Sequence, residues 1–378
     1  MTESRRVVAG RLVLEDRVEP GVVHIEGDRI VGVEPDQAGA DGPYVSPGFV
    51  DVHVHGWGGH DALGSSDALG ASSALDGMAR ALLRRGVTSF LPTAVALPIE
   101  RLVAWAGTVR TWMRQAPDDG ASPLGFNLEG PFLADARRGA HDPAHLRVPA
   151  DVPFEDLEAL VDGLRIVTIA PELDGALELI AWLDRRGVVA SLGHSAADLV
   201  TSRSGFDAGA RSTTHLFNAM TGLHHRDPGL ALAALTEDAA YTELIADRHH
   251  VHPALWSLIV RAKPEDRLLL VSDAIALAGT EDTTASIGGL EVEIRDGRCV
   301  LAGTDTLAGS LIALDSAVAN LVRAGVALPA AVAAASRNPL TLIGVTDRGR
   351  LAAGRRADLV ELDDDLRVAG VIRAGRRI

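Results

Sequence analysis

Two histidines with one residue between them stand at the end of an apolar, β-branched run. The segment Phe49–His55 reads Phe-Val-Asp-Val-His-Val-His, and on a strand residues i and i+2 point to the same side. Two neutral imidazoles that converge in this way are natural ligands for a divalent metal. His53 and His55 therefore predict a metal site, although alternating histidines can also merely decorate a strand.

Further histidines and carboxylates follow other apolar runs in the same manner. Glu129 stands directly before Gly130-Pro131, and a buried glutamate is rare without a partner, which can be a metal or a structural arginine. His194 and His215 also follow β-rich runs, where a single histidine is more often a satisfied core residue. Asp273 ends the last such run, where its carboxylate can bind a metal, take a proton from water, or do both. Six groups together indicate a metal-dependent active site: His53, His55, Glu129, His194, His215 and Asp273.

Each of these groups falls at the end of a strand in a repeating pattern of β-rich runs and Ala/Leu-rich helical stretches. Eight β-then-α units over residues 48–347 predict an α/β fold, a (β/α)8 TIM barrel, whose catalytic residues come from the carboxyl ends of the strands. A β-hairpin insertion near 285–303 is expected after strand eight, with its turn at Asp296-Gly297. The predicted barrel strands are Phe49–His55, Val87–Thr93, Leu124–Glu129, Ile166–Pro171, Val188–His194, Ser212–Asn218, Thr242–Asp247 and Leu268–Ala274.

The two ends of the chain have a different pattern. Val7–Val33 and Leu351–Arg373 contain short alternating strands with turn signals between them. Neither piece can bury a core alone. We therefore predict that residues 1–47 and 348–378 pack together as a small β-sandwich domain beside the barrel.

Composition narrows the classes of partner. The net charge of −15 argues against nucleic acid or an anionic membrane as a partner, and it means that an anionic substrate needs a local arginine clamp. Cys299 is the only cysteine, which excludes an internal disulfide and a cysteine-based zinc site. The first twenty residues lack the apolar core of a signal peptide, and no run approaches the roughly 20 apolar residues of a membrane span, so a cytoplasmic enzyme is expected.

Several longer motifs resemble a known family. The opening Pro47-Gly48-Phe49-Val50-Asp51, the paired histidines and the strand-end His and Asp residues resemble the amidohydrolase superfamily. The resemblance is narrower to the N-acetylglucosamine-6-phosphate deacetylases, and it runs from Pro47 to Leu359. The motifs that carry it are Asn127–Phe132, Gly139–Pro143, Gly193–Ser195, Thr214–Met220, Ile245–Asp247, Leu307–Ser310 and Gly354–Leu359.

The resemblance implies roles for the six groups. Glu129, His194 and His215 would hold the main catalytic metal, with Asp273 as general base and then general acid. Because the chain keeps His53 and His55, a second ion is expected, with Glu129 bridging the two. Lys263 is the only lysine and precedes strand eight, on the wrong side of the barrel for a carbamylated lysine bridge. One or two divalent ions per subunit are expected, zinc first, with iron, manganese and cobalt as alternatives.

The resemblance also implies a phosphorylated amino sugar as substrate and a homodimer as the assembly. Arg226 resembles the phosphate-binding arginine. Where the family has a small, apolar pair before a substrate histidine, this chain has Arg248-His249, so His249 and His252 remain alternatives to His250. The other expected substrate contacts are Ala140, His141, Asn218, Ala219, Leu307, Ala308 and Gly309.

The implied reaction is deacetylation of N-acetylglucosamine 6-phosphate, in amino-sugar catabolism and cell-wall recycling. The same ligands also serve cyclic-amide hydrolases, deaminases and N-acyl-amino-acid deacylases, because one fold hosts several chemistries. A non-catalytic scaffold is a further alternative, but scaffolds lose ligands and here the set is intact. Ser195 followed by Asp198 indicates a helix N-cap, so Ser195 is not assigned as a nucleophile.

Overall fold

A computed structural model describes residues 5–64 and 68–378. Its strands alternate with helices through most of the chain. The strands are β1 (Arg5–Val13), β2 (Val18–Glu26), β3 (Arg29–Pro35), β4 (Tyr44–Pro47), β5 (Phe49–Val54), β6 (Gly56–Trp57), β7 (His60–Asp61), β8 (Val87–Ala94), β9 (Ser122–Pro123), β10 (Phe126–Glu129), β11 (Leu164–Ile169), β12 (Val189–Leu192), β13 (Ser212–Thr213), β14 (Tyr241–Leu244), β15 (Leu268–Leu270), β16 (Thr284–Ile287), β17 (Leu290–Arg295), β18 (Arg298–Leu301), β19 (Leu359–Leu362), β20 (Val368–Arg373) and β21 (Arg376–Arg377).

The helices are short to medium in length. They are α1 (Ala68–Leu83), α2 (Ile99–Met113), α3 (Phe154–Val161), α4 (Ala176–Asp184), α5 (Leu199–Asp207), α6 (Leu230–Thr236), α7 (Pro253–Ala262), α8 (Leu314–Arg323), α9 (Leu328–Ala334) and α10 (Arg337–Leu342). Within the two described ranges, no helix combines the length and the apolar character that crossing a bilayer requires.

Eight parallel strands form the barrel and confirm the predicted α/β class. They pair in the order β5-β8-β10-β11-β12-β13-β14-β15. The barrel closes through backbone hydrogen bonds, because the Asp273 N–H donates to the His53 carbonyl at 2.9 Å and the His55 N–H donates to the Ala274 carbonyl at 2.8 Å. Side chains from strands all around the barrel, including Val50 and Leu269, meet in one buried cluster, so the interior is a packed core.

Several barrel strands are shorter than the sequence predicts, and the largest differences are in three strands that end before their site residue. β12 ends at Leu192, β13 at Thr213 and β15 at Leu270, whereas the prediction extended these strands through residues 194, 218 and 274. His194, His215 and Asp273 have φ angles of 47°, 27° and 51°. A positive φ does not fit a β ladder, so these side chains lie in the turns that follow the strands.

Both ends of the chain contribute to one separate sheet. Its seven strands follow the order β21-β20-β19-β4-β1-β2-β3, with antiparallel pairing except between β1 and β4. Val23, Ile25, Val45 and Leu359 belong to a buried cluster of its own, as expected for two terminal pieces that cannot bury a core alone. The division into two domains at 47/48 and 347/348 stays a prediction, and residues 1–4 of that range lie outside the described residues.

The insertion after β15 has one strand more than predicted. The expected hairpin is present as β17 and β18, and β16 pairs with β17 on its other edge to make a three-stranded antiparallel sheet. The sequence Thr-Ala-Ser-Ile of β16 does alternate between polar and apolar residues, but it covers only four positions and only Ile287 is buried, so the strand signal is weak.

Candidate metal centre and active site

The carboxylate of Glu129 lies at the centre of the six predicted groups. One of its oxygens, Oε1, is 2.8 Å from His215 Nε2 and 3.0 Å from His194 Nε2. The other oxygen, Oε2, is 3.2 Å from His55 Nε2. Asp273 Oδ1 is 3.2 Å from His55 Nε2 and 3.6 Å from His53 Nε2. All six side chains are buried, so the structure brings the predicted set together at one end of the barrel.

The imidazoles are oriented by hydrogen bonds on the side that faces away from this centre. His53 Nδ1 donates to Glu243 at 3.0 Å, and His55 Nδ1 donates to the Thr93 carbonyl at 3.1 Å. His194 Nδ1 donates to the Arg137 carbonyl at 2.8 Å. Because the proton of a neutral ring is then on Nδ1, the lone pair of Nε2 points inward.

Lone pairs face one another at short distance in this arrangement. Burial lowers the pKa of His194 to about 4, so its ring is neutral and its bare Nε2 lies 3.1 Å from His215 Nε2 as well as close to Glu129. His53 Nε2 is buried and has no hydrogen-bond partner. Electron pairs that converge in this way need a proton or a metal cation between them. The donor set fits a divalent metal.

The carboxylates also favour positive charge at this place. Burial alone would lower the pKa of His55, but its hydrogen bonds to Asp273 and Glu129 outweigh burial and raise the pKa to about 9. Burial likewise opposes ionisation of Glu129, yet the charges of His53 and His141 hold its pKa well below the usual range. A bound cation would satisfy the same demand in place of the histidine protons.

Two overlapping groups of possible metal ligands are present, and within each group the ligand atoms all lie within 4.8 Å of one another. One group is His53, His55, Glu129 and Asp273, and the other is Glu129, His141 and His194. His141 differs from the rest in its tautomer, because its Nδ1 accepts the Ala96 N–H at 3.1 Å. The proton of neutral His141 is therefore on Nε2, which donates to Glu129 Oε2 at 3.2 Å. His141 is a hydrogen-bond donor at this site rather than a metal ligand.

Several residues other than glycine have positive φ angles at this end of the barrel, a backbone conformation that residues with a Cβ rarely adopt. Besides His194, His215 and Asp273, the residues Phe217 and Ala219 have φ angles of 75° and 48°. A non-glycine residue in this region costs free energy and persists where the surrounding structure holds it. Such residues are typical of functional sites.

A cavity of about 370 Å³ opens beside the six groups. Its lining includes most of the residues expected to contact a substrate, and Arg137 and Ile287 complete two of its walls. Ile287 belongs to β16, so the inserted sheet contributes directly to the cavity. The expected contacts found in the lining are Ala140, His141, Asn218, Ala219, His250, Leu307 and Gly309.

Two expected substrate contacts lie elsewhere. Ala308 is fully buried and its N–H donates to the Cys299 carbonyl at 3.1 Å, so its side chain packs against the inserted sheet behind the cavity. Arg226 is exposed on the loop after Met220 and is not part of the lining.

His249, His250 and His252 have different positions relative to the cavity. His250 lines the cavity, and its Nδ1 donates to Asp247 at 2.7 Å. His252 precedes α7 and its ring accepts the Ala254 N–H, while His249 is exposed. Of the three, His250 has the position that a substrate contact requires.

Glu243 is a buried carboxylate that the sequence reasoning missed. It lies on β14, is fully buried, and its Oε2 accepts hydrogen bonds from His53 Nδ1 at 3.0 Å and from the His215 N–H at 3.1 Å. The available signal was a glutamate inside an otherwise apolar strand, because such a residue needs a partner when it is buried. Asp247, which holds His250, was missed as well.

Two further residues have structural roles. Asp198, not Ser195, caps α5, because its side chain accepts the Thr201 N–H, whereas Ser195 donates to Glu172 at 2.7 Å. The N-cap prediction at Ser195 was therefore wrong by one turn. Lys263 is buried at the end of α7 and its amine donates to the Ala234 and Glu237 carbonyls, which leaves it no part in the metal centre.

Comparisons with known proteins agree with one another. The amidohydrolase family model matches residues 44–378. An N-acetylgalactosamine-6-phosphate deacetylase of Escherichia coli O157:H7 is 39% identical, over 87% of this chain and 86% of that protein. The N-acetylglucosamine-6-phosphate deacetylase of Bos taurus is 38% identical, over 100% of this chain and 94% of the relative.

Solved structures of deacetylases superpose over nearly the whole chain. The N-acetylglucosamine-6-phosphate deacetylase of Thermotoga maritima has a TM-score of 0.90 and 33% identity, covering 98% of this chain and 99% of the other. A mutant of the Mycobacterium smegmatis enzyme, solved in complex with N-acetyl-D-glucosamine-6-phosphate, has a TM-score of 0.88 and 35% identity, covering 99% of both chains.

Proposed function

The chain belongs to the amidohydrolase family, and from this membership and the geometry of its site we propose that it hydrolyses the acetamido group of N-acetylglucosamine 6-phosphate to give glucosamine 6-phosphate and acetate. The observation that carries the proposal is the convergence of Glu129, His194, His215 and Asp273 beside a cavity that Asn218 and His250 line. Similarity to deacetylases over the full length supports the choice of substrate.

Within this proposal, Glu129, His194 and His215 would hold the principal divalent ion. His53 and His55 would hold a second ion. Glu129 would contribute to both sites, because one of its oxygens faces His194 and His215 and the other faces His55. Imidazole and carboxylate ligands suit zinc first, and also iron, manganese and cobalt. When bound, a divalent cation supplies Lewis acidity, which lowers the pKa of water and polarises an amide carbonyl.

Asp273 moves the proton in the proposed reaction. Its buried carboxylate at the mouth of the barrel accepts a proton from the attacking water while the water oxygen bonds to the acetamido carbon. The carbon–nitrogen bond then breaks, and Asp273 returns the proton to the leaving amine, so acetate and the free amine are formed. When the substrate is bound, the Nε2–H of His141 turns from Glu129 Oε2 to the carbonyl oxygen, where negative charge develops. The orientation of the ring depends on the Ala96 N–H that occupies Nδ1.

The phosphate group requires positive charge that the six central residues do not supply. Arg137 lines the cavity and provides such charge within the chain. Arg226 is exposed on its loop and lies outside the lining of the cavity in its own chain. We therefore propose that Arg226 reaches the cavity of a second copy in a homodimer, where its planar guanidinium binds the phosphate.

The galacto epimer is a second candidate substrate. The relative named for N-acetylgalactosamine 6-phosphate is 39% identical to this chain, a value close to those of the glucosamine relatives. The two sugars differ only in the orientation of one hydroxyl group, so the same metal centre and the same Asp273 serve both. Hydrolysis of a different amide by the same ligands is the remaining alternative within the family. A location in the cytoplasm also stays a proposal.

The test compares acetate release from three sugars by the metal-loaded chain. These sugars are N-acetylglucosamine 6-phosphate, N-acetylgalactosamine 6-phosphate and unphosphorylated N-acetylglucosamine. We expect the first to have the highest kcat/KM and the unphosphorylated sugar to have the lowest. Preference for the galacto epimer would move the assignment to the second candidate. Failure to release acetate from any of the three would refute the proposed substrate class.

A further inference from the structure

Arg248 has a backbone conformation that an arginine rarely adopts. Its φ angle is 74°, in the left-handed region where glycine carries no penalty and a residue with a Cβ does. The turn is held by Asp247, whose Oδ1 accepts the N–H groups of His249 and His250 at 2.8 Å each. A strained residue that the neighbouring structure holds in place calls for a functional explanation.

Arg248 is exposed and lines a second cavity, of about 400 Å³, beside the active-site cavity. The second cavity is lined by three arginines, Arg248, Arg298 and Arg323, which come from separate parts of the chain. Asn320 holds two of them together, because Arg248 Nη2 and Arg323 Nη1 both donate to its Oδ1, at 3.1 Å and 3.4 Å. The amide of Asn320 is fixed in this orientation by its own donation to the Ala246 carbonyl at 2.9 Å.

The positive charge of this cavity is not neutralised within the chain. Over residues 5–64 and 68–378, none of the three arginines has a carboxylate oxygen within 4.0 Å, in a protein whose net charge is −15. Among the lining residues that the structure describes, Asp247 is the only carboxylate. Both of its oxygens are already occupied, by the ring of His250 and by the two backbone N–H groups.

We propose that this cavity is a second anion site, separate from the active-site cavity, and that it binds a phosphate or phosphate-monoester dianion. Guanidinium groups bind phosphate oxygens through paired, charge-assisted hydrogen bonds. Arg248 and Arg323 share Asn320, and Arg298 lines the same cavity. An anion that binds there lowers the repulsion between these unneutralised charges. The site does not depend on the reaction proposed above, since it rests on the arginine cluster alone.

The position of the site connects it to the active-site cavity. His250, Leu307 and Gly309 line both cavities, and Asp247 joins Arg248 to His250 through the same turn. An anion on Arg248 therefore binds next to the segment that places His250 in the active-site cavity. Inorganic phosphate and a phosphorylated sugar both present a phosphate group to the arginines. The binding experiment therefore has to distinguish these two ligands.

The experiment counts phosphate ions bound per chain by equilibrium dialysis of the metal-loaded protein against labelled inorganic phosphate. The variants are Arg248→Gln, which removes the charge, and Arg203→Gln, which removes an exposed arginine that likewise lacks a carboxylate partner in the described residues. We expect Arg248→Gln to bind one phosphate fewer than Arg203→Gln and the unchanged protein, or to bind it at least about tenfold more weakly.

A second variant separates lost binding from lost folding. Arg248→Gly suits the φ angle of 74°, so it is expected to keep the melting temperature of the unchanged protein or raise it, while losing the same phosphate. Glucosamine 6-phosphate is then added to displace the labelled phosphate. Displacement at a concentration lower than that at which inorganic phosphate binds would identify a sugar phosphate as the ligand. Tighter binding of inorganic phosphate would identify the free ion. Equal phosphate binding by Arg248→Gln and Arg203→Gln, or no binding at this site in the unchanged protein, would overturn the proposal.

Discussion

The metal centre and the loops that carry His250 and Arg226, called the rim below, are built in different ways. At the metal centre, His53, His55, Glu129 and Asp273 are each less than a tenth exposed, and the histidines are held by further hydrogen bonds behind them. Arg226 lies outside the lining of the cavity in its own chain, is exposed and, within the described residues, makes no hydrogen bond or ion pair. In the proposed function, groups positioned at the ends of parallel strands of one chain carry out the reaction, and loop residues bind the phosphate. Changes at the centre should therefore act on turnover and metal content, and changes at the rim should act on KM.

The largest effect is expected from removing the proton acceptor at the centre. Asp273→Asn keeps the shape of the side chain but cannot accept a proton, so kcat should fall by about 10³-fold. The metal content should remain, because Glu129, His194 and His215 are unchanged. Acetate release and metal analysis on the same preparation check both statements. Normal kcat in this variant would exclude Asp273 as the general base.

A smaller effect at the centre is expected from Glu243→Gln. Loss of the charge behind His53 weakens the orientation and basicity of that imidazole, and such changes typically lower metal affinity about 10- to 100-fold. The ion held with His53 and His55 should be lost first, so the number of ions per chain should fall toward one. Glu291→Gln, on an exposed strand position without side-chain contacts in the described residues, is the matched control. The same metal content in both variants would show that Glu243 does not position His53.

At the rim, Arg226→Ala should raise KM for the phosphorylated sugar without changing metal content. Two charge-assisted hydrogen bonds correspond to a change of about 100-fold. The preference for phosphorylated over unphosphorylated sugar should fall by the same factor, with Arg203→Ala as the control. If KM stays unchanged, the phosphate is bound by other groups, and Arg137 is then the first to test.

The smallest effects should separate the adjacent histidines. His250→Ala removes a residue that lines the cavity and should raise KM about tenfold. His249→Ala, at an exposed position, should change KM by less than about twofold. Steady-state kinetics on both variants decide between them. A larger effect at His249 would mean that this loop changes its arrangement when the substrate binds.

The residues of the metal centre could be predicted from the sequence because they stand at the ends of strands. His53 and His55 could be placed because a period of two is a strong strand signal, and Glu129 because an apolar run ends there before Gly-Pro. The barrel followed from the alternation of β and α patterns. These signals are local in the chain, and the metal centre is built from strand ends that carry them.

The features that the sequence did not predict depend on long-range geometry. The role of Glu243 depends on which face of β14 points to His53, and a single apolar strand does not reveal this. The early ends of β12, β13 and β15 are followed by positive φ angles at histidine and aspartate. Unlike glycine, these residue types do not by themselves indicate a positive φ angle in a sequence. The distance of Arg226 from the cavity depends on a loop without periodicity.

We propose that hydrolysis depends on a metal held by the buried histidines and carboxylates. The most direct measurement removes metal with a chelator and then follows acetate release from N-acetylglucosamine 6-phosphate as zinc is added back, with the number of ions per chain determined at each step. We predict no turnover in the metal-free chain and recovery that reaches a plateau at one or two ions per chain, with no recovery in Glu129→Gln. Full turnover by the metal-free chain would contradict the account.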